Sequence, residues 1–343
     1  MARARDLGLM GPGLPVGPLN AITDVPGVMV GQVDLRGDDL MTGVTAIVPH
    51  GGDPFRLKPR AAIEVINGFG KSAGIMQVQE LGTLETPILM TNTFGVAACA
   101  TALIRDAIAR NPDIGRQTST VNPLVFECND GAISDIQALA VTEADAAAAM
   151  AAARGGPVAE GAVGGGSGMT SFGFKAGIGT ASRIIDIDGQ SHVLGVLVQS
   201  NFGPAGQLVL PDGRRPDPAS LAEPEKGSVI IVIATDLPLG DRQLQRLARR
   251  GGAGLARLGA FWGNGSGDVC LAFTTADPVA HAPDAPFAAT RRLDDRRIDL
   301  AFQAAAEATQ EAVLNALVAA PATRGRTGRV WPSLADWLAA NCP

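Results

Sequence analysis

The chain has 343 residues, of which 46% are hydrophobic and 18% charged, with a net charge of −6 at pH 7. That length buries a sizeable core, and the acidic balance without a basic block argues against nucleic acid as a partner. No window is apolar enough for a membrane span, and the opening MARARDLGLMGPGLPVGPLN has no run of signal-peptide length, so a cytoplasmic protein is expected.

The predicted elements alternate along the chain. TGVTAIVPH (42–50) and TPILMTNTF (86–94) read as strands, followed by helices over VAACATALIRDAIAR (96–110) and TEADAAAAMAAARG (142–155). HVLGVLVQSNFG (192–203) is again strand-like, and the Pro-, Gly- and charge-rich stretch 210–228 reads as an exposed connection. A strand over GSVIIVIATDLPL (227–239), a helix over 241–261, a strand over GDVCLAFTTA (267–276) and a helix over 299–320 complete the series. Apolar strands mixed with Ala-rich helices imply an α/β or α+β fold whose sheets are covered by helices.

Several familiar motifs are incomplete. Gly70-Lys71-Ser72 lacks the first glycine of a phosphate loop, since Val65 stands there. Gly177-x-Gly179 lacks the third glycine of a dinucleotide fingerprint, and Met169 replaces the second glycine of a nucleophile elbow around Ser167. Cys99, Cys128, Cys270 and Cys342 form no C-x-x-C pair, and His50, His192 and His281 are widely spaced, so no metal is expected. The histidines and Trp262 read as packing residues, and Asn67 and Asn92 either line a pocket or cap turns.

FWGNGSGDVCLAFTTA (261–276) admits two readings. Asn-Gly before β-type residues is a hairpin signal. Alternatively, a break between Gly265 and Ser266 would leave a serine whose own α-amine, with a pKa of roughly 7.7–8, serves as its base. Gly265, without a Cβ, suits the backward attack that such a break requires.

Ten segments in order resemble the self-processing aminopeptidase/amidase family, which includes the L-aminopeptidase/D-Ala-esterase/amidase, the β-peptidyl aminopeptidases and the nylon-oligomer endohydrolase. They run from GPLNAITDVPGVMVGQV through INGFGKSAG, VFECNDGAISDI, GGGSGMTSFGFKAGIGTASR and VLGVLVQSNFG to GNGSGDVCLAFTTA and EATQEAVLNAL. The resemblance implies an αββα sandwich of the N-terminal-nucleophile-hydrolase type. It further implies one domain over 1–343, cut into an α chain of 1–265 and a β chain of 266–343, and an oligomer of αβ units with a tetramer favoured. No cofactor is implied.

By the same resemblance Ser266 is the nucleophile and Asn201 the oxyanion donor, an interaction worth about 3–4 kcal/mol in the barrier. Lys175 matches a lysine beside the nucleophile, where a cation would lower the pKa of the amine; its plainer reading is a partner for a buried carboxylate. Glu307 matches the acid that orients the nucleophile, with Glu311 one turn on as the alternative. Glu127 matches the acid that holds a substrate's free amine. Two positions depart from the pattern: Asn129 stands where relatives have tyrosine, and this chain has none, while Ala305 replaces a serine or aspartate. The expected activity is removal of small N-terminal residues from short peptides, amino-acid amides or esters, with β-peptides and nylon-type oligomers open. The other readings are an acyltransferase like the self-cleaving ornithine acetyltransferase, which uses threonine, and a processed but inactive scaffold.

Overall fold

The computed structural model describes residues 2–218 and 227–341; Cys342 and residues 219–226 of the expected exposed connection lie outside them. The strands are β1 (Met29–Arg36), β2 (Met41–Val48), β3 (Leu57–Gly68), β4 (Ile88–Asn92), β5 (Leu124–Cys128), β6 (Thr170–Ser171), β7 (Phe174–Lys175), β8 (Ile178–Ile187), β9 (Gln190–Asn201), β10 (Ser228–Thr235), β11 (Gly267–Ala280), β12 (Thr323–Arg324) and β13 (Val330–Trp331). The helices are α1 (Ile75–Leu81), α2 (Val96–Arg110), α3 (Glu143–Ala151), α4 (Asp241–Ala256), α5 (Asp299–Val318) and α6 (Leu334–Asn341). The four helices and five strands expected from the sequence are present. Strands β1, β3, β5 and β8 were not picked out, because polar residues break their apolar runs or, in β5, because the strand is only five residues long.

Two sheets stack face to face, one in the order β1-β2-β4-β5 and the other β3-β11-β10-β9-β8. Apolar side chains from both sheets fill the space between them, among them Ile47, Met90 and Phe126 from the first and Leu197, Val232 and Leu271 from the second. The opposite face of the five-stranded sheet carries Val196, Val229 and Ala272 against α4 and α5, and that of the four-stranded sheet carries Val44 and Leu89 against Cys99 and Leu103 of α2 and residues of α3. Alternation of inward and outward residues along each strand produces these layers, which are the expected αββα sandwich.

The neighbours of β11 matter most for the site. It runs parallel to β10 and antiparallel to β3, with Gly267 level with Ser228 on one side and Gly68 on the other. Ser228 in turn is level with Asn201 on β9. The far end of the same sheet is built differently. Arg183 of β8, level with Leu194, Thr235 and Thr274, is fully buried between two carboxylates of α5, with Nε 3.1 Å from Glu307 and Nη2 2.8 Å from Glu311. Glu311 also takes bonds from Arg5 and Asn20, which straps the N-terminal segment to the sheet. A buried carboxylate without its cation is costly, about 3–5 kcal/mol for a broken pair. Arg183→Met is therefore expected to lower stability by about that amount, read as a reduced melting temperature. Burial raises the Glu307 carboxyl, but bonds from Gln303, the Leu14 amide and Arg183 outweigh it and hold its pKa below the usual value. The stabilisation from Glu307 is thus complete above its ordinary carboxylate range and fades as pH falls through its lowered value.

Candidate active site

Ser266 is fully buried and immediately precedes β11. Residues 263–266 turn back on themselves, the Ser266 amide donating to the Gly263 carbonyl at 2.9 Å. The hairpin reading of Asn-Gly is therefore right about the local turn and wrong about its neighbours, since β11 pairs with β10 and β3 rather than folding back on the segment before it. Just upstream, Trp262 sits at φ +55°, a backbone region costly for a non-glycine residue. Its indole packs against the main core and against Gly252 of α4, as expected for a packing residue.

Three groups fix the serine. Its Oγ donates to Asp268 Oδ1 at 2.7 Å, a geometry that i and i+2 side chains reach at the start of a strand. Its carbonyl accepts the Phe69 amide at 3.3 Å and the side chain of Asn67. Asn67 also donates to the Gly263 carbonyl at 3.1 Å. A bulge leaves Ile66 of β3 without a partner on β11, between the pairs Asp268–Asn67 and Val269–Val65, and so aims Asn67 at the turn. Of the two roles open to Asn67, it therefore takes the one at the site. Asn92 accepts the Gly95 amide as a cap and also donates to Thr42 and Asp130.

The loop after β3 brings Glu127 to this turn. Glu127 Oε1 accepts the Lys71 amide at 2.8 Å, and Oε2 accepts the Thr93 hydroxyl. Between them lies Gly70, where an added methyl would sit 3.5 Å from Glu127 Oε1 and 3.8 Å from the Gly267 Cα. Gly267 is equally confined, since a Cβ there would meet the Phe69 carbonyl at 2.7 Å. The buried Cys128 thiol faces the Ser228 carbonyl at 3.4 Å and thereby joins the end of β5 to β10. Next to it, burial lifts the Asp130 carboxyl to about 6 against the bonds from Thr42 and Asn92 that lower it.

Asn201 completes the row. It lies two strands from Gly267, roughly 9.5 Å at the usual strand spacing. Its Nδ2 donates to the Asn129 carbonyl at 2.9 Å, and its Oδ1 accepts the Thr170 amide at 2.9 Å. Asn129 closes a turn with its own side chain, accepting the Gly131 amide at 2.8 Å.

Two expectations change. Among the described residues Lys175 has no carboxylate partner; Nζ donates to the carbonyls of Met169 at 2.8 Å and Ala176 at 2.6 Å. Burial, reinforced by Arg36, drives its pKa well below the ordinary lysine value, which works against the cation that the sequence reading asks of it. It is reached from the site through the β6–β7 pairing of Thr170 with Lys175. Glu307 is not brought to Ser266. Arg183, its partner, is level with Thr274, seven residues along β11 from Gly267, or roughly 23 Å at about 3.3 Å per residue. Glu311 shares that partner. Helical spacing put both acids on one face but carried no information about which end of the sheet that face covers. Asp268 and Thr93 take part without a role read from the sequence. The i, i+2 spacing of Ser266 and Asp268 was the one signal in the sequence that pointed to either of them. The three histidines lie elsewhere: His50 and His281 are hydrogen-bonded to Leu57 and Thr118, and His192 Nδ1 lies 3.4 Å from Asp236.

A serine at the head of a central strand, within a sandwich of two sheets between helices, is the arrangement of a hydrolase of the N-terminal-nucleophile type, and its family and relatives make that hydrolase a serine aminopeptidase. A family model for peptidase family S58 matches residues 20–331, and the chain belongs to that family. It is 40% identical to the β-peptidyl aminopeptidase BapA of Sphingosinicella microcystinivorans, over 95% of this chain and 88% of that protein. Among solved structures, a β-aminopeptidase from a Burkholderia species superposes with a TM-score of 0.90 at 38% identity, covering 100% of this chain and 99% of the other. The L-aminopeptidase D-Ala-esterase/amidase of Ochrobactrum anthropi, described as a variant of the N-terminal-nucleophile hydrolase fold, gives 0.88 at 38% identity, covering 98% and 97%.

The placement of the acids separates their roles experimentally. Glu127→Gln is expected to lower kcat/KM on a free-amine substrate by about 10- to 100-fold, mainly through KM, as for loss of a charged hydrogen bond. Glu307→Gln is expected to lower the melting temperature while leaving kcat/KM within about twofold. Steady-state kinetics and thermal unfolding on the two variants check both.

Proposed function

We propose that the chain is cut between Gly265 and Ser266 into residues 1–265 and 266–343, and that the new N-terminal serine removes small N-terminal residues from short peptides, amides or esters. The observation that carries this reading is the buried Ser266 at the head of β11, hydrogen-bonded through Oγ and set beside the loop that holds Glu127. The freed α-amine takes the Oγ proton as Oγ attacks the substrate carbonyl. It passes that proton to the departing amine, and an acyl-serine ester remains. Water then attacks the ester, and Oγ recovers its proton as the acid leaves.

Asn201, whose amide already donates toward the same end of the sheets, supplies a hydrogen bond to the oxyanion. Glu127 receives the substrate's ammonium group, for which a buried carboxylate accepting from a backbone amide and a hydroxyl is suited. Lys175 acts at one remove by fixing the β6–β7 pair beneath Asn201. The relatives' names put β-amino acyl groups first among substrates, with α-amino acyl amides next. Assembly into oligomers of αβ units, a tetramer foremost, belongs to the same reading, as does a cytoplasmic location.

Intact mass under denaturing conditions tests the cut. The 35.0 kDa chain divided 265:78 gives fragments of about 27 and about 8 kDa in the wild type and a single uncut species in Ser266→Ala. An uncut wild type would remove the α-amine from the mechanism. Once the cut is established, turnover of a β-amino acyl amide and loss of turnover on N-acetylation of the same compound test the assignment of Glu127.

A further inference from the structure

We propose that Asp268 is the general base of the self-cut, accepting the Ser266 Oγ proton in the uncut chain. The inference rests on the self-cleaving reading above and deals with a step that reading leaves without a base. Before the cut, the nitrogen of Ser266 is a peptide amide whose hydrogen is donated to Gly263 O. An amide nitrogen is not basic, so the group that serves the mature enzyme does not exist when the first bond must break.

The neighbouring groups narrow the choice. Both oxygens of Glu127 already accept bonds, from the Lys71 amide and the Thr93 hydroxyl. Lys175 is turned to the carbonyls of Met169 and Ala176, and Asn201 Oδ1 accepts the Thr170 amide. The hydroxyl hydrogen of Ser266 goes instead to Asp268 Oδ1 at 2.7 Å, inside the 2.6–3.2 Å reach expected of a general base. Asp268 is fully buried, is held in the backbone ladder between β10 and β3, and cannot swing away.

The step balances without an outside reagent. Oγ forms a bond to the Gly265 carbonyl carbon as its proton passes to Asp268. The bond from that carbon to the Ser266 nitrogen then breaks, and Asp268 returns the proton to the leaving nitrogen. The product is an ester between Gly265 and Ser266 Oγ beside a free amine. Water hydrolyses the ester, giving the Gly265 carboxyl and the Ser266 hydroxyl. Asp268 ends as it began, and the catalytic base of the mature enzyme has been created.

The test follows processing of the full chain made by cell-free synthesis, with the uncut and cut masses read over time for wild type, Asp268→Asn, Asp268→Glu and Asp268→Ala. Asp268→Asn keeps the size and the hydrogen bond but not the base, and it is expected to slow cutting by 100-fold or more, roughly the value of a general base. Asp268→Glu is expected to restore most of that loss, and added formate is expected to speed Asp268→Ala in proportion to its concentration. A purely structural role would not respond to formate. Cutting of Asp268→Asn at the wild-type rate would overturn the proposal, as would an Asp268→Ala chain whose cutting formate leaves unchanged. Failure of the wild type itself to be cut would instead overturn the self-cleaving reading, so the two failures are told apart.

Discussion

The active end of this molecule depends on the clamping of the first residues of β11 from both sides. Gly267 is paired with β10 and β3, and there is no room for a side chain between it and the Phe69 carbonyl. A strand held this way cannot fray, and the serine in front of it inherits a fixed position. Asn67 and the Phe69 amide then take its carbonyl, so the remaining freedom of Ser266 is mostly that of its hydroxyl. Orientation of a nucleophile before reaction removes an entropic part of the barrier that solvent-exposed serines must meet each time.

The two ends of the sandwich divide the polar burial between them. At one end, Arg183 neutralises Glu307 and Glu311, and Arg5 and Asn20 add to the same network. Such a cluster is stable only when complete, and its completeness ties the N-terminal segment, β8 and α5 into one unit. At the other end, Glu127 and Asp130 are buried with neutral hydrogen-bond donors, and Asp268 receives the serine hydroxyl. Glu307 and Glu311 are thus paired with a cation, whereas Glu127 and Asp130 accept from amide and hydroxyl groups.

Lys175 is wholly buried with Nζ on two carbonyl oxygens, so burial pushes its pKa down while the two bonds hold a short hairpin in place. The hairpin bears Thr170, whose amide fixes the side chain of Asn201, so the lysine reaches the site through two hydrogen bonds and a strand pairing.

The sequence by itself determined the layered α/β architecture, because apolar periodicities of 2 and 3.6 force sheets and helices to bury one face each. It also determined the family, through segments recurring in one order, and that resemblance marked Ser266 as the proposed nucleophile, where the local Asn-Gly-Ser-Gly pattern alone left a turn and a self-cut open. Glu127, Asn129 and Asn201 were legible by the same resemblance, and the structure gathers them at one end of the sheets. Only the tertiary structure decided that Glu307 lies at the other end, since strand register sets which residues are level and no helical spacing encodes it. It alone showed that burial lowers the pKa of Lys175, because desolvation depends on what surrounds a side chain after packing. The partnership of Asp268 with Ser266 stands between the two. Their separation of two residues is written in the sequence, but the hydrogen bond requires the turn before β11 and the bulge in β3 that hold both at hydrogen-bonding distance.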